Sequence, residues 1–140
     1  MIRLTRRYRF CASHRLHAAA LSADGNRELY GKCNNPHGHG HNYVLEVAVA
    51  GPIDSISGQV LSVAKLDELI QTRVIDSLDH KNLNEQVPAL AGLVPTTENL
   101  TGEIRRMIAA AWPGAFPNSP ATVAGLRLLE TKNNFFEIRS

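Results

Sequence analysis

Apolar and polar residues alternate in two segments of the first half of the chain, and this pattern predicts two β-strands. Over residues 2–13 the apolar side chains fall mainly at even positions, and His14 continues that face. The alternation returns over residues 39–49, where two histidines precede apolar residues on the same face. Between these segments, residues 17–38 contain Gly, Asn and Pro without a clear period, so we expect a long loop. Loops of more than about 15 residues within a domain are often functional.

Helical spacing replaces this alternation in the middle of the chain. In residues 64–78 the apolar side chains recur every three or four positions, which predicts an amphipathic helix. The sequence PTTEN at 95–99 predicts the start of a second helix, because a threonine can cap it and a glutamate suits the positive end of its dipole. A Pro-Gly pair at 113–114 predicts where this helix ends.

The last part of the chain returns to strand spacing. Apolar side chains alternate over residues 124–128, and Glu130 lies on their face. TKNN then predicts a turn, and FFEI predicts a final strand. This order of elements predicts an α+β fold, namely a four-stranded antiparallel sheet with two helices packed on one face. Because the 140 residues contain neither a linker nor a repeat, we expect a single domain over residues 1–140.

Composition narrows the class of protein. The formal net charge is +2, too close to balance for a nucleic-acid surface. No apolar run approaches the ~20 residues of a membrane span, and the charged first segment is unlike a signal peptide. The two cysteines are too few for the disulfide framework of a small secreted protein. We therefore expect a soluble protein of a reducing compartment, the cytoplasm, with no nucleic-acid or membrane partner. The first segment also holds a group of basic residues, either a solvated face or a landing area for an anionic ligand: Arg3, Arg6, Arg7, Arg9 and Arg15.

Three histidines are expected to converge at one end of the first two strands. Residues two apart on a strand point the same way, about 6.5–7 Å apart, so His39 and His41 present two imidazoles side by side. If the two strands pair antiparallel, the end of the first strand brings His14 to the start of the second. Three neutral imidazoles with an open fourth position are typical of a catalytic zinc site.

Cys33 stands near this predicted site and admits two roles. It is either the fourth zinc ligand of a closed structural site or a reactive base or nucleophile beside the metal. Lys32 and a nearby dication would both favour the thiolate. The spacing does not decide between the two roles. Cys11 lies on the opposite face from His14, and we expect it to be a small buried residue.

Two further polar positions carry candidate chemistry. Asp79 and His80 follow the first predicted helix, so the carboxylate could orient the imidazole for proton transfer, or the histidine could simply favour the helix C-terminus. Glu130 lies on an apolar strand face, which is costly without a partner. That partner is either a neighbouring arginine, Arg127 or Arg139, or a flat amino-substituted heterocycle that offers paired N–H groups.

Five segments of the chain occur together in one known family: FCASHRL at 10–16, YGKCNNPHGHGHNY at 30–43, LDHKNL at 78–83, TTEN at 96–99 and LETKNN at 129–134. Nearly from end to end, the chain resembles the 6-pyruvoyltetrahydropterin synthase family and its relative, the 6-carboxytetrahydropterin synthases of the queuosine pathway. The resemblance implies the tunnelling fold, in which the sheets of several subunits join into a barrel. It also implies a homo-oligomer, a hexamer built from two trimers.

The resemblance further implies a role for each candidate residue. Cys33 matches the catalytic cysteine, a base rather than a ligand, while Asp79 and His80 match a relay pair that a neighbouring subunit contributes. Glu130 matches the anchor of the pterin ring. The family's zinc ligands match three residues: His14, His39 and His41. The lining of its pterin pocket matches three others: Thr96, Thr97 and Glu98.

The activity implied by this resemblance is the conversion of 7,8-dihydroneopterin triphosphate to 6-pyruvoyltetrahydropterin. Zinc would bind and acidify the two side-chain hydroxyls, and the cysteine and the relay pair would move protons before triphosphate is eliminated. No redox cofactor is needed, because the side chain is oxidised while the ring is reduced. The N-terminal arginines or Lys32 would hold the triphosphate.

Alternatives to this activity remain. Cys33 to His37-Gly-His39 also satisfies the shorter spacing of the 6-carboxytetrahydropterin branch, although KCNNP and the longer spacing to His41 favour the pyruvoyl branch. We expect His37 to stand outside the metal site. Two other classes of protein are a zinc hydrolase of a small ester or phosphate and a zinc-stabilised binding module without activity, the latter with Cys33 as the fourth ligand.

Overall fold

The computed structural model, which describes residues 1–140, contains one sheet with the strand order β3-β1-β2-β4-β5. Its strands have these bounds: β1 Ile2–His14, β2 His39–Gly51, β3 Lys81–Asn82, β4 Thr122–Thr131 and β5 Asn134–Arg139. β2 pairs antiparallel with β1 and with β4, and β5 pairs antiparallel with β4. The four strands predicted from alternation are therefore present with the predicted direction.

The prediction of a purely antiparallel, four-stranded sheet is nevertheless wrong, because β3 pairs parallel with β1 and makes the sheet mixed and five-stranded. This strand has 2 residues, too few for alternation to reveal. Backbone hydrogen bonds to β1 hold its segment in place: the N–H of Leu83 donates to the carbonyl of Ser13 at 2.8 Å, and the N–H of His80 donates to that of Cys11 at 2.6 Å.

Two helical segments pack on one face of the sheet, as predicted. The first consists of α2 (Val63–Ile70), a π-helical turn (Gln71–Ile75) and α3 (Asp76–Leu78). It matches the predicted helix over 64–78 except for the π turn, which the apolar spacing does not reveal. The second is α4 (Thr97–Ala115).

Thr96 fixes the start of α4, whereas the predicted stop signal does not fix its end. Thr96 is its N-cap, and the side chain accepts a hydrogen bond from a backbone N–H of the first turn at 3.1 Å. Pro113 does not end the helix, which continues to Ala115. A proline in the last turn removes only one helical hydrogen bond, so the helix continues past it for a few residues.

The segment 17–38, predicted as a loop, contains α1 (Ala23–Tyr30) and a 3₁₀ turn (Gly31–Asn34). The prediction is wrong here because α1 lacks an apolar stripe. A buried polar residue holds it instead: the side chain of Asn26 accepts a hydrogen bond from the N–H of Ala18 and donates to carbonyls at the start of the helix.

The apolar core lies between the sheet and the two helical segments and contains 23 buried side chains. Residues at odd positions of β2, such as Leu45 and Val47, face this core and are fully buried. The other face of the sheet carries charges, where Glu46 pairs with Arg7 at 2.6 Å and with Arg127 at 3.3 Å. None of the helices has the length and apolar character that a membrane crossing requires.

Candidate metal centre and its surroundings

Strand pairing brings the three predicted histidines together. In the register of β1 and β2, His14 is opposite His39, and Ala12 is opposite His41. The imidazole centroids lie 5.2 Å apart for His14 and His39, 4.8 Å for His14 and His41, and 4.5 Å for His39 and His41. The expected convergence of these side chains is therefore observed, and it follows from the period of two along each strand.

Cys33 joins the histidines to complete a set of four donor atoms. The ligand atoms of His14, Cys33, His39 and His41 all lie within 4.8 Å of one another. Nε2 of His41 is 3.0 Å from Nε2 of His14, and Nε2 of His39 is 3.1 Å from Sγ of Cys33. Tetrahedral zinc, with bonds of about 2.0–2.3 Å, separates its ligand atoms by roughly 3.3–3.6 Å, so the donor set fits such an ion with small side-chain adjustments.

A backbone carbonyl orients the most buried of the histidines. Nδ1 of His14 lies 2.9 Å from the carbonyl oxygen of Pro95, which can only accept a hydrogen bond. Nδ1 therefore carries the proton, and Nε2 is left as a lone pair directed at the cluster, the arrangement that supports metal binding. Burial lowers the pKa of His14 and of His41, which favours the neutral imidazoles that a metal requires.

Glu130 faces the histidines. Its Oε1 lies 3.0 Å from Nε2 of His41 and 3.7 Å from Nε2 of His14, and its side chain is 12% exposed. The pairing of β4 with β5 changes register between Leu129 and Thr131, at the position of this glutamate. A nearly buried carboxylate therefore stands beside the four donor atoms.

The structure does not pair Glu130 with an arginine, which was the alternative left open by the sequence. Arg127 lies 3.3 Å from the carboxylate of Glu46, and Arg139 lies 3.2 Å from that of Glu137. Both arginines are thus engaged by other carboxylates, and the polar partners of Glu130 are the imidazoles.

The protein groups around Cys33 favour its protonated thiol. Burial, and after it the charge of Glu130, raise the pKa of Cys33 above the usual range of a thiol. The neighbouring Lys32 is exposed and does not offset them. A dication held by the histidines would act in the opposite direction and favour the thiolate.

Asp79 and His80 lie at the edge of β1, away from the cluster. Asp79 Oδ1 accepts a hydrogen bond from the backbone N–H of Cys11 at 2.8 Å, and its Oδ2 lies 3.6 Å from Nε2 of His80. The His80 side chain is 80% exposed, and its backbone has φ of 59°, in the left-handed region. The structure therefore does not bring this pair to the histidines of the same chain. Cys11, expected to be buried, is exposed.

The predicted pocket-lining residues surround the start of α4, next to the carbonyl that holds His14. Thr96 is the helix cap, and Glu98 is exposed. Thr97 is buried, and its Oγ1 has no hydrogen-bond partner. Of these three, Thr97 alone offers an unused polar atom inside the protein.

Tyr43 was not among the predicted site residues, although its side chain packs next to the histidine cluster. It follows His41 on the same face of β2, with the two ring centroids 5.6 Å apart, and its buried hydroxyl has no hydrogen-bond partner. Burial, and then the charges of Glu130 and Cys33, raise its pKa. Its parity with the two histidines was visible in the sequence, but a tyrosine among apolar residues is usually part of the core.

A basic cavity of about 480 Å³ opens beside the cluster. Its lining includes His39 and these basic residues: Arg15, His17, Arg27 and Lys32. Two of the N-terminal arginines lie elsewhere and are paired, Arg6 with Asp67 at 2.7 Å and Arg7 with Glu46 at 2.6 Å. His37 is exposed and lies outside the four-residue cluster, as expected.

Comparison with known proteins gives a consistent family. The sequence model of the family described as 6-pyruvoyl tetrahydropterin synthase matches residues 3–140. The 6-pyruvoyl tetrahydrobiopterin synthase of Poecilia reticulata is 44% identical over 97% of this chain and 88% of its own. The solved structure of the Caenorhabditis elegans 6-pyruvoyl tetrahydropterin synthase is 34% identical, covers 99% of this chain and 95% of its own, and superposes with a TM-score of 0.88. A 6-carboxy-5,6,7,8-tetrahydropterin synthase of Rickettsia conorii is 29% identical over 99% of this chain and 100% of its own.

Proposed function

The chain belongs to the 6-pyruvoyl tetrahydropterin synthase family, and from that premise we propose that it converts 7,8-dihydroneopterin triphosphate to 6-pyruvoyltetrahydropterin with elimination of triphosphate. The observation that carries the proposal is the set of three imidazoles and a thiol beside the nearly buried carboxylate of Glu130. Such a site can polarise hydroxyls, accept a proton and bind an N–H edge within one pocket.

The proposed metal ligands are His14, His39 and His41, with zinc as the ion. Zinc bound there would supply Lewis acidity toward the two hydroxyls of the substrate side chain. The carbonyl of Pro95 holds His14 in the tautomer that presents Nε2. This second contact fixes the ring orientation, so the site does not depend on the metal alone for its geometry.

Glu130 is the proposed anchor of the pterin ring. Nε2 of His41, 3.0 Å from Glu130, cannot both hold a metal and donate to the carboxylate, so a bound metal would take this donor away from Glu130. The carboxylate is then a nearly buried acceptor without its partner. Two hydrogen bonds from the pterin amino group and the adjacent ring N–H would offset its desolvation. Thr97, with its unused Oγ1, and its neighbours Thr96 and Glu98 would line the same pocket.

Cys33 is the proposed base that removes a proton from the substrate side chain. Asp79 and His80 would return protons at the site of a neighbouring subunit rather than at their own. Two features support this division: the pair makes no hydrogen bond to the histidines of its own chain, and the His80 ring is 80% exposed with its backbone at φ of 59°. Residues held in such backbone conformations are found most often at functional sites.

A homo-oligomer, a hexamer of two stacked trimers, would supply these neighbours. β3 and the residues before it engage the outer edge of β1 only at its end, from Cys11 to Ser13, so the earlier part of that edge has unpaired backbone groups. β5 forms the opposite edge of the sheet. Pairing of these two edges between copies would extend the sheet and satisfy both edges.

The basic cavity beside His39 is the proposed position of the triphosphate. Arg15 and Lys32 supply positive charges there without a carboxylate partner, next to the proposed metal ligands, while Arg27 is paired with Asp24. By contrast, Arg6 and Arg7 are already paired with carboxylates. Because charged donors bind phosphate oxygens strongly, this cavity suits the leaving group better than the first strand does.

Two alternatives each have one supporting observation. The 6-carboxytetrahydropterin reaction is supported by the likeness to the Rickettsia conorii protein, but the exposure of His37 and the place of His41 in the cluster favour the longer spacing of the pyruvoyl branch. A binding module with a closed zinc site is supported by the 3.1 Å between Cys33 Sγ and His39 Nε2.

Incubation of the zinc-loaded protein with 7,8-dihydroneopterin triphosphate tests the proposal. We expect 6-pyruvoyltetrahydropterin by mass spectrometry, one inorganic triphosphate released for each molecule formed, and no product with Cys33→Ala. A 6-carboxytetrahydropterin product would move the protein to the other branch. Hydrolysed phosphate with an unchanged pterin side chain would indicate a hydrolase, and an unchanged substrate would indicate a binding module.

A further inference from the structure

Tyr43 carries a buried hydroxyl that no group of the protein satisfies. The residue is 1% exposed, and its hydroxyl oxygen has no hydrogen-bond partner. Two other buried side-chain atoms share this condition, Oγ1 of Thr97 and Nε of Arg127. Nε of Arg127 lies 3.3 Å from a Glu46 carboxylate oxygen in an ion pair. The hydroxyls of Tyr43 and Thr97 are therefore the buried groups that have neither a hydrogen bond nor an ion pair.

The position of the ring places this hydroxyl beside the metal centre. Tyr43 follows His41 on the core-facing side of β2, and the two rings are in contact. The ring of Phe10, on the paired strand β1, stacks on that of Tyr43 with the centroids 4.9 Å apart and an interplanar angle of 13°. Tyr43 therefore carries an unpartnered hydroxyl on a ring that packs against a proposed metal ligand.

A phenylalanine would fill this position without the loss of stability that the buried hydroxyl of the tyrosine causes. Burying a hydroxyl without a partner destabilises a fold, and the stacked Phe10 occupies the same layer with no polar atom. A hydroxyl that faces a ligand site gains its missing partner when the ligand binds. The unpartnered donor therefore points to an acceptor atom on the molecule that this pocket binds.

We propose that Tyr43 donates a hydrogen bond through its hydroxyl to an acceptor atom on the heterocycle of the bound substrate. The inference rests on the proposed function, because it requires a pterin ring that Glu130 anchors beside the metal centre. A pterin has donors on its amino edge and acceptors, a ring nitrogen and a carbonyl oxygen, on the edge nearer its side chain. Glu130 can only accept and therefore binds the first edge, while a donating Tyr43 hydroxyl matches the second, so the two contacts together fix which way the ring faces.

A pair of tyrosine-to-phenylalanine variants separates this role from a structural one. Tyr43→Phe should weaken the binding of neopterin, a pterin that cannot lose triphosphate, by about 3- to 10-fold, as expected for one hydrogen bond between neutral groups. Its zinc content should be unchanged and its melting temperature equal or higher. The matched control is Tyr8→Phe, because the Tyr8 hydroxyl donates to Asp67 at 2.7 Å on the same strand face as Phe10. That variant should melt at a lower temperature and bind neopterin as the wild type does.

Two results would overturn the inference. Equal neopterin affinity for Tyr43→Phe and wild type would mean that the hydroxyl does not contact the ring. A melting temperature lowered as much as in Tyr8→Phe would mean that the hydroxyl has a partner within the protein. If the wild type neither binds neopterin nor converts dihydroneopterin triphosphate, the proposed function fails and this inference fails with it. If the wild type does both and Tyr43→Phe binds equally well, the inference alone fails.

Discussion

Oε1 of Glu130 lies 3.0 Å from Nε2 of His41, so the proposed ring anchor and a proposed metal ligand are in direct contact. No arginine competes for this carboxylate, since Arg127 and Arg139 pair elsewhere. The contact links the two halves of the proposed site, because a metal held by Nε2 of His41 would leave the carboxylate of Glu130 free for a ligand.

Replacing Glu130 by glutamine should weaken pterin binding and leave the metal in place. The amide keeps the shape of the side chain but puts a donor where the pterin amino group also donates. We expect a loss of about 1.5–3 kcal/mol in the binding free energy of neopterin, the range for a hydrogen bond to a charged group. Fluorescence titration gives the affinity, and zinc content with melting temperature serves as the control. Unaltered affinity would leave Glu130 as a structural partner of His41.

Mixing two inactive variants tests whether Asp79 and His80 act at a neighbouring subunit. Cys33→Ala chains retain His80, and His80→Ala chains retain Cys33, so a mixed oligomer contains some complete sites. With random mixing, about a quarter of the sites combine both intact residues, and activity should recover to about that fraction.

The matched control for this experiment mixes Cys33→Ala with His39→Ala. Both changes affect the same half of the site, so no mixed arrangement restores it and the mixture should stay inactive. Full activity of separated monomers at assay concentration, measured by sedimentation, would contradict a shared site.

His37 should be dispensable. Its side chain is exposed, and the donor cluster consists of His14, Cys33, His39 and His41. His37→Asn should therefore keep the zinc content and the pyruvoyl product of the wild type, measured by metal analysis and mass spectrometry. Loss of zinc in this variant would move the ligand set to the shorter spacing and the function to the 6-carboxytetrahydropterin branch.

The ion pair of Asp67 should make part of the stability dependent on pH. The Arg6 guanidinium donates two hydrogen bonds to this carboxylate, and the hydroxyl of Tyr8 donates a third, which lowers the pKa of Asp67. A carboxyl with a lowered folded-state pKa contributes stability above its ordinary pKa, near pH 4, and loses it as the pH falls further. Because the side chain is 37% exposed, the contribution should be about 1 kcal/mol or less.

Thermal melts of the wild type and Asp67→Asn at one protein concentration measure this contribution. The gap between the two melting temperatures should be present at pH 7 and should shrink as the pH is lowered from 5 to 3. A melting-temperature gap that stays constant over this range would show that the charge of the carboxylate contributes nothing to stability.

Much of the site followed from local periodicity in the sequence. Alternation fixes which face His39 and His41 share, and antiparallel pairing then brings His14 opposite His39, as the register shows. The helix cap at Thr96 was predictable for the same reason, because capping depends on a few adjacent residues.

Features that depend on tertiary contacts were not predictable in this way. The two residues of β3 are a strand only because β1 lies beside them, and α1 is held by the buried Asn26 instead of an apolar stripe. The missing hydrogen-bond partner of the Tyr43 hydroxyl depends on the packing around the whole ring, which the sequence does not encode locally. The separation of Asp79 and His80 from the histidines is likewise invisible in the spacing of the chain.

The zinc content of Cys33→Ala tests the central claim most directly, because it decides whether this thiol is a base or a ligand. Metal analysis of the purified variant should find about one zinc per chain, as in the wild type, together with no pterin product from dihydroneopterin triphosphate. His41→Ala, prepared in parallel, should lose most of its zinc. If Cys33→Ala is also empty of zinc, the thiol is a fourth ligand of a closed site, and the proposed mechanism is wrong.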